Sequence, residues 1–150
     1  MRYKNALRQH FVAKYNAGET VDEVTEWLLL GKHITSTSNE ADENVEEAAY
    51  YDGDGTPEED VTSIKIGKSF EGFVNREDAA QVLILDMAEK IGDARKVWYK
   101  EVSADGKRTR QGLATVTAIN DGDGEASEFE TFGCTIKFDR LPEVINTPEQ

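Results

Sequence analysis

The feature that most limits the fold is a run of 22 residues without a basic side chain. Residues 39–60 contain ten aspartates and glutamates and no lysine or arginine, and residues 120–130 contain five acids and no base. The net charge of the chain is −13, yet the sequence outside these two segments holds 15 acids and 17 bases. The body of the protein is therefore nearly neutral, and its acidity is confined to two segments.

This charge distribution excludes several classes of protein. Wrapping nucleic acid needs clustered lysine and arginine, which the sequence lacks, so we expect it to repel a polyanion. A single cysteine cannot form a disulfide within the chain, and His10, His33 and Cys134 are too far apart in sequence to suggest a zinc or haem site. No apolar run is long enough for a transmembrane helix, and the N-terminus lacks the apolar stretch of a signal peptide. We expect one domain and no cofactor.

The first 60 residues predict a terminal arm, a strand and a long loop. Residues 1–20 place apolar side chains at helical spacing, which fits either a terminal helix docked on its own domain or an arm that reaches a neighbour. Residues 24–38 alternate as in a strand. Residues 39–60 then lose all periodicity, and a loop of this length usually has a function or is disordered. The helically spaced residues are Tyr3, Leu7, Phe11 and Tyr15.

The second half predicts one helix and several antiparallel strands. After a strand over 61–74, Asn75 caps a helix over about 76–91, which ends at Gly92. One face of that helix is apolar, comprising Ala80, Leu83, Ile84, Met87, Ala88 and Ile91. Two strands then flank the turn Asp105-Gly106, and a last strand alternates inward through Phe132, Cys134, Ile136 and Phe138. The predicted fold class is α+β, mainly an antiparallel β-sandwich or small barrel with one flanking helix.

No candidate group supports catalysis. Cys134 lies on the apolar parity of a strand and is expected to fill the core. His10 and His33 have no companions that would form a triad, and both fit surface or capping positions. No glycine-rich loop matches a nucleotide-binding motif. We therefore predict that the protein is not an enzyme.

Calcium binding is a separate possibility, because two short motifs resemble the start of an acidic ligand loop. The motifs are centred on Asp52 and Asp54 and on Asp121 and Asp123, with Glu125 following the second. Neither has the glycine and the glutamate that an EF-hand requires at positions 6 and 12. Tight Asp-Gly turns explain both motifs without an ion, which leaves weak cation binding as the alternative.

The order of these elements resembles the major tail tube protein of long, flexible-tailed phages, in particular those that infect Gram-positive hosts. The resemblance covers roughly residues 20–145 and rests on the tracts 66–102 and 112–144. Its most family-like part leads from Phe70 and Gly72 through Asp78, Gln81 and Leu85 to the Gly92 stop.

This resemblance implies a β-sandwich with an outward-facing helix, assembled into rings of six that stack as a hollow tube in the virion. The family has no active site and no cofactor, and it is assembled in the host cytoplasm. Its partners are further copies of itself, the tape-measure protein, the terminator and tip proteins of the tail, and the DNA that passes through without specific binding; no membrane is involved. Residues 1–20 would form an N-terminal arm, 21–140 the tube domain and 141–150 a C-terminal arm.

The resemblance and the charge pattern together nominate assembly residues. An acidic wall would keep a DNA duplex centred, so acids of both segments are expected near the lumen or the ring interface. The basic N-terminal residues Arg2, Lys4, Arg8 and Lys14 are expected to meet the acidic loop of a neighbour head to tail, so that deleting residues 1–18 would leave a folded monomer. The acidic-segment candidates are Glu40, Asp42, Glu43, Glu46, Glu47, Tyr50, Tyr51, Asp52, Asp54, Asp121, Asp123 and Glu125.

The sequence is also compatible with two alternative functions. One is a calcium-dependent binding module built on the acidic loops. The other is the tube protein of a contractile injection system or of a phage-like bacteriocin, which shares the fold.

Overall fold

A computed structural model of the chain describes residues 1–146, and the last four residues of the predicted C-terminal arm lie outside the described residues. The described part contains one α-helix, three short 3-10 turns (Asn5–Leu7, Val21–Glu23 and Gly92–Arg95) and eight strands. The helix α1 spans Ala79–Leu85. The strands are β1 Gln9–Lys14, β2 Leu28–Leu29, β3 Ile34–Ala48, β4 Glu58–Phe73, β5 Lys96–Val102, β6 Arg108–Asn120, β7 Thr131–Phe138 and β8 Glu143–Asn146.

All eight strands belong to one antiparallel sheet. Its order is β2-β1-β5-β6-β7-β4-β3, and β8 continues the path of β7 alongside the first residues of β6. The sheet curls on itself. Three strands separate β1 from β4 in the sheet order, yet the His10 ring on β1 lies 5.0 Å from the Phe70 ring on β4. The predicted α+β class, with antiparallel strands and a single helix, is confirmed.

The core lies on the inner side of this curled sheet. Phe132, Cys134, Ile136 and Phe138 alternate inward from β7 as predicted, and all four are buried. Tyr99 of β5 and Phe70 of β4 add two fully buried rings, which pack edge to face. Burying such side chains contributes roughly 1.5–3 kcal/mol each, which makes this cluster the main source of stability.

The helix is shorter than the sequence predicts. It begins after Asp78 rather than Asn75, and turns follow Leu85. Ala80, Ile84 and Met87 are buried against the sheet as expected, but Ile91 is 89 % exposed. The predicted stop Gly92 does have a positive φ of 67°, yet it begins a 3-10 turn instead of ending the helix. The helical spacing of apolar residues in the sequence therefore extends as far as Ile91, although the side chain of Ile91 does not pack against the sheet.

The predicted N-terminal helix is wrong for residues 9–14. These residues form strand β1, which lies inside the sheet between β2 and β5 and pairs with β5 from Gln9 to Lys14. Val12 and Ala13 are buried in the core. A deletion of residues 1–18 would remove this strand, so only residues before β1 could be removed without opening the sheet.

The predicted loop over 39–60 is also wrong. Most of it belongs to a long antiparallel hairpin, in which β3 pairs with β4 from Ile34 opposite Gly72 to Ala48 opposite Glu58. The chain turns only over residues 49–57. The predicted Asp105-Gly106 hairpin between β5 and β6 is confirmed, with Gly106 at a φ of 76°.

Candidate assembly surfaces

The outer part of the β3–β4 hairpin projects from the body of the protein. β7 pairs with β4 only between Gly67 and Phe73, so the outer half of the hairpin has no further strand beside it among the described residues. Every residue from 41 to 65 is exposed. The ladder from Ala41 to Ala48 makes the projecting ribbon about 23 Å long. A two-stranded ribbon in water is marginally stable by itself.

One face of the projecting ribbon carries an apolar stripe. Cross-strand pairing places Val45 opposite Val61 and Glu43 opposite Ile64, on the same face as Ile66 and the core residue Phe70. The stripe is exposed, at 46 % for Val45, 59 % for Val61 and 40 % for Ile64. It is the outward continuation of the core-facing side of β4.

Near the tip, acids lie directly opposite acids. Glu46 pairs with Asp60, and Glu47 pairs with Glu59. Directly opposed like charges destabilise a ladder, and no cation pairs with any of these four among the described residues. Glu47 and Glu59 lie on the face of the apolar stripe, whereas Glu46 and Asp60 lie on the other face.

The remaining hairpin candidates are distributed between the base and the tip. Asp42 accepts a hydrogen bond from Lys137 Nζ at 2.7 Å, and this bond with the charge of Lys137 lowers the pKa of Asp42. At the tip, hydrogen bonds from the Thr56 side chain and from the Thr56 backbone amide lower the pKa of Asp54. Half-buried Glu40 lies at the base of the ribbon, whereas the aromatic Tyr50 and Tyr51 and the acid Asp52 are exposed near the tip.

The second acidic segment connects β6 to β7 and is held by its own hydrogen bonds. Asp123 accepts from the Thr131 hydroxyl and from Asn120 Nδ2, and these two bonds lower the pKa of Asp123. The carbonyl of Asp121 accepts from Arg76, while Glu125 is exposed. Phe129 of this connection is 83 % exposed and packs edge to face on Phe73.

Strand directions place the two acidic segments at opposite ends of the sheet. The β6–β7 connection lies at the end of β4 that carries Phe73, whereas the hairpin turn lies at the end that carries Glu58. Asp52 and Asp54 therefore do not join Asp121 and Asp123. Among residues 1–146, no group of three or more His, Cys, Asp or Glu side chains is arranged to hold a metal ion.

A basic cleft lies beside the base of the hairpin and was missed by the sequence analysis. Its volume is about 400 Å³, and the residues that line it include Glu101, whose side chain is 2 % exposed. Arg110 Nη2 lies 2.8 Å from Glu101 Oε2, and Arg8 bonds to Glu101 Oε1. Lys68 Nζ is 3.8 Å from Glu101 and also donates to Asn39. With Arg108 at its edge, the cleft has four cations against Glu101 and Glu40.

The cations around Glu101 lower its pKa by more than its burial raises it. Burial alone would raise the pKa of Glu101, but hydrogen bonds from Arg110 and Arg8 and the charges of Arg110 and Lys68 bring it below the ordinary value. Burial is also the main cause that lowers the pKa of Lys68, partly opposed by the charge of Glu101. The result is an ionic cluster that joins β4, β5, β6 and the residue before β1, and it leaves surplus positive charge.

The predicted arm residues have different environments. Arg8 is held by Glu101 within its own chain, and Lys14 is an exposed residue at the end of β1. Arg2 and Lys4 are exposed ahead of the sheet. The structure thus brings one of the four arm cations into the basic cleft and leaves the others on the surface.

Two of the three possible catalytic groups, Cys134 and His10, are buried, whereas His33 is exposed. Burial raises the pKa of the Cys134 thiol to about 12, so the thiol stays protonated. His10 was expected at the surface but is 7 % exposed, with Nδ1 2.9 Å from the Tyr99 hydroxyl. Burial lowers the pKa of His10 to about 4. In residues 1–146, no helix has the length and apolar character needed to cross a bilayer.

Comparison with known proteins gives likenesses in structure alone. No protein-family model matches the chain, and no curated protein does. The tail of an empty gene transfer agent particle, solved with C6 symmetry, matches with a TM-score of 0.65 at 12 % identity, over 98 % of this chain and 100 % of that one. The SPP1 tail tube matches with a TM-score of 0.65 at 10 % identity, over 99 % and 80 %.

This chain has the fold of a tail tube protein. The same fold extends to the cap that terminates the tube of the anti-feeding prophage, at a TM-score of 0.55 and 13 % identity over 98 % of this chain and 93 % of that one. Because these matches span nearly the whole chain, the tail-tube-like fold includes β1 and the long hairpin.

Proposed function

We propose that this protein is a structural subunit that polymerises, as rings stacked on one another, into the tube of a phage-type tail through which DNA passes. The observation that carries the proposal is the likeness in fold to the gene transfer agent tail and the SPP1 tail tube across almost the full chain. The role is mechanical and not catalytic. The protein acts in the virion after assembly in the host cytoplasm, in a long-tailed phage of the type that infects Gram-positive hosts.

The projecting hairpin supports assembly independently of the fold. A ribbon with 25 consecutive exposed residues and an apolar stripe has surface that a second copy would bury. Its acids and those of the β6–β7 connection are the candidates for the ring interface and the lumen wall. Near a lumen they would repel phosphate over a distance of about 8–10 Å, so that DNA slides without being held.

The ring is a hexamer in this proposal, and its other contacts are the tape-measure protein inside the tube and the terminator and tip proteins at its ends. Residues 1–7 act as the N-terminal arm, since Arg8 is bound to Glu101 of its own chain. Residues 141–150 act as the C-terminal arm, of which 143–146 pair with β6. Residues 9–14 are part of the folded domain, because they form a paired strand.

Electron microscopy of the purified full chain tests the proposal. Negative-stain images should show hollow tubes of uniform width, and a helical reconstruction should show rings with six subunits. A protein that stays monomeric at all concentrations and salt conditions would contradict the proposal. If both acidic segments point outward into solvent in such a reconstruction, the lumen role fails while the tube role stands.

A second candidate is the tube of a contractile injection system or of a phage-like bacteriocin. The likeness in fold to the cap that terminates the tube of the anti-feeding prophage supports this candidate. The two candidates differ in whether a contractile sheath surrounds the tube. Co-assembly with a sheath protein from the same gene cluster would favour the second.

A further inference from the structure

We propose that the basic cleft around Glu101 receives the projecting hairpin of a second copy, with Arg108 of one chain between Glu47 and Glu59 of the next. This inference rests on the proposed tube function and deepens it, because it specifies which surfaces meet. The occupant is a second copy of this chain, and the recognition combines ion pairing with burial of the apolar stripe.

The hairpin face carries a repulsive pair of carboxylates that such a partner would neutralise. Glu47 and Glu59 are directly opposed on the ribbon, and neither has a cationic partner among the described residues. A guanidinium placed between two carboxylates converts a repulsive pair into two charge-assisted hydrogen bonds. The adjacent Val45, Val61 and Ile64 would lose water-exposed apolar area in the same contact.

The cleft offers the complementary group. Arg8, Lys68 and Arg110 are committed to the buried Glu101 carboxylate, whereas Arg108 lines the cleft edge, is exposed and pairs with no carboxylate among residues 1–146. The cations around Arg108 also raise the local potential for an approaching acid. In a chain of charge −13, this concentration of positive charge sits beside its own ribbon, and no described acid of that ribbon pairs with Arg108.

The geometry of a closed ring permits this contact. The cleft and the hairpin are different surfaces of one chain, so a contact between them is heterologous and is repeated from copy to copy. A ribbon about 23 Å long can extend beyond its own body to a neighbour. No new fold or unfolded intermediate is needed for docking.

The test is a charge swap between the two surfaces, read by sedimentation and negative-stain microscopy of the full chain. Arg108→Glu should leave the fold intact, because Arg108 is exposed, and should reduce tube yield at least tenfold at matched concentration. Glu59→Arg alone should reduce it similarly. Mixing Arg108→Glu with Glu59→Arg, or combining both in one chain, should restore tubes.

Matched controls separate this contact from general charge effects. Lys90→Glu makes the same change of charge at the other end of the sheet, and Asp60→Arg makes the hairpin change on the opposite face; both should assemble like the unmodified chain. Circular dichroism melts of every variant establish that the monomers are folded.

The outcomes distinguish this inference from the proposed function. Tubes formed by the unmodified chain and equally by Arg108→Glu would overturn the cleft contact and leave the tube function standing. Loss of tubes in Arg108→Glu without rescue by Glu59→Arg would also overturn the pairing. A chain that forms no tubes in any condition would overturn both.

Discussion

At the scale of single residues, His10 shows how burial turns a common side chain into a source of pH dependence. Its ring is covered by Phe70 and bonded to the Tyr99 hydroxyl, so the folded protein holds it neutral. Its pKa falls from an ordinary 6.5 to about 4 when the chain folds. The unfolded chain therefore takes up a proton as the pH falls below 6.5, and the folded chain does not until about pH 4.

The free energy of unfolding should accordingly fall by about 2 kcal/mol between pH 8 and pH 5 through His10 alone. His10→Gln should flatten that slope, measured by urea unfolding at several pH values. His33→Asn removes an exposed histidine at a positive φ that asparagine tolerates, and the slope should persist in it. An unchanged slope in His10→Gln would show that another group titrates in this window. The pKa of the Glu101 carboxylate is lowered in the folded protein, so the stability that Glu101 contributes is lost only at lower pH.

Gln81 is a second residue whose role depends on burial. It is fully buried on α1, and its side-chain amide donates to the carbonyls of Lys32 and Phe73 while its oxygen accepts from the Asn75 amide at 2.7 Å. These hydrogen bonds connect α1 to Lys32, which precedes β3, and to Phe73, at the end of β4. A helical apolar pattern would place a hydrophobic residue at this position.

Replacing Gln81 with leucine should lower the free energy of unfolding by about 2–4 kcal/mol, since three hydrogen bonds of its buried side chain to the backbone would be lost. Chemical denaturation measures this directly. Gln111→Leu is the matched control. Within residues 1–146 the Gln111 side chain makes one hydrogen bond, to the exposed Glu143 at 3.3 Å, so this variant should lose less than about 1 kcal/mol of stability. Equal losses in the two variants would argue against the bridging role of Gln81.

At the scale of elements, the close approach of β4 and β7 depends on Gly67. A Cβ at this position would lie 2.2 Å from the Ile136 carbonyl oxygen and 2.6 Å from Lys137 Cα, both backbone atoms that cannot swing away. The strand pairing at the base of the hairpin therefore requires the absence of a side chain.

Gly67→Ala should destabilise the protein by about 1–3 kcal/mol, because β4 must move away from β7. Thermal or urea unfolding of the monomer would reveal this. Gly53→Ala, in the hairpin turn, adds a Cβ that meets only ordinary contact at 3.5 Å and should change stability by less than about 0.5 kcal/mol. If Gly67→Ala proved as stable as Gly53→Ala, the tight approach would not be a constraint on folding.

At the scale of the whole molecule, the projecting hairpin contributes nothing to the core, and its proposed role is in assembly. None of residues 41–65 is buried, and the core cluster includes no side chain from this range. Folding and polymerisation should therefore be separable by shortening the ribbon. The pair Glu43 and Ile64 offers a place to close it, because these residues face each other in the ladder.

Replacing residues 44–63 with Asn-Gly, which favours a two-residue type I′ turn, should leave a cooperatively folded monomer. Its free energy of unfolding should stay within about 1 kcal/mol of the full chain, while tubes should disappear from negative-stain images. A shortened chain that still formed tubes would remove the hairpin from the assembly mechanism. Gly53→Ala retains the ribbon and serves as the positive control for assembly.

The sequence was most informative where one face of a strand is buried. Alternation in β7 identified Phe132, Cys134, Ile136 and Phe138 as core residues, and Asp105-Gly106 identified the β5–β6 turn, because both signals are local. The outer hairpin shows the converse. Its strands have no buried face, so nothing imposes alternation, and the segment resembled a loop.

By itself, the sequence determined an antiparallel α+β domain with a near-neutral body and two acidic segments, since composition and short-range periodicity carry that information. Only the tertiary structure decided that the first acidic segment is a projecting ribbon, that β1 lies within the sheet and that three cations surround the buried carboxylate of Glu101. One of these contacts, between Glu101 and Arg110, follows from the hairpin register. The others join residues 33 and 93 positions apart, and such contacts depend on how the sheet curls, which no local pattern encodes.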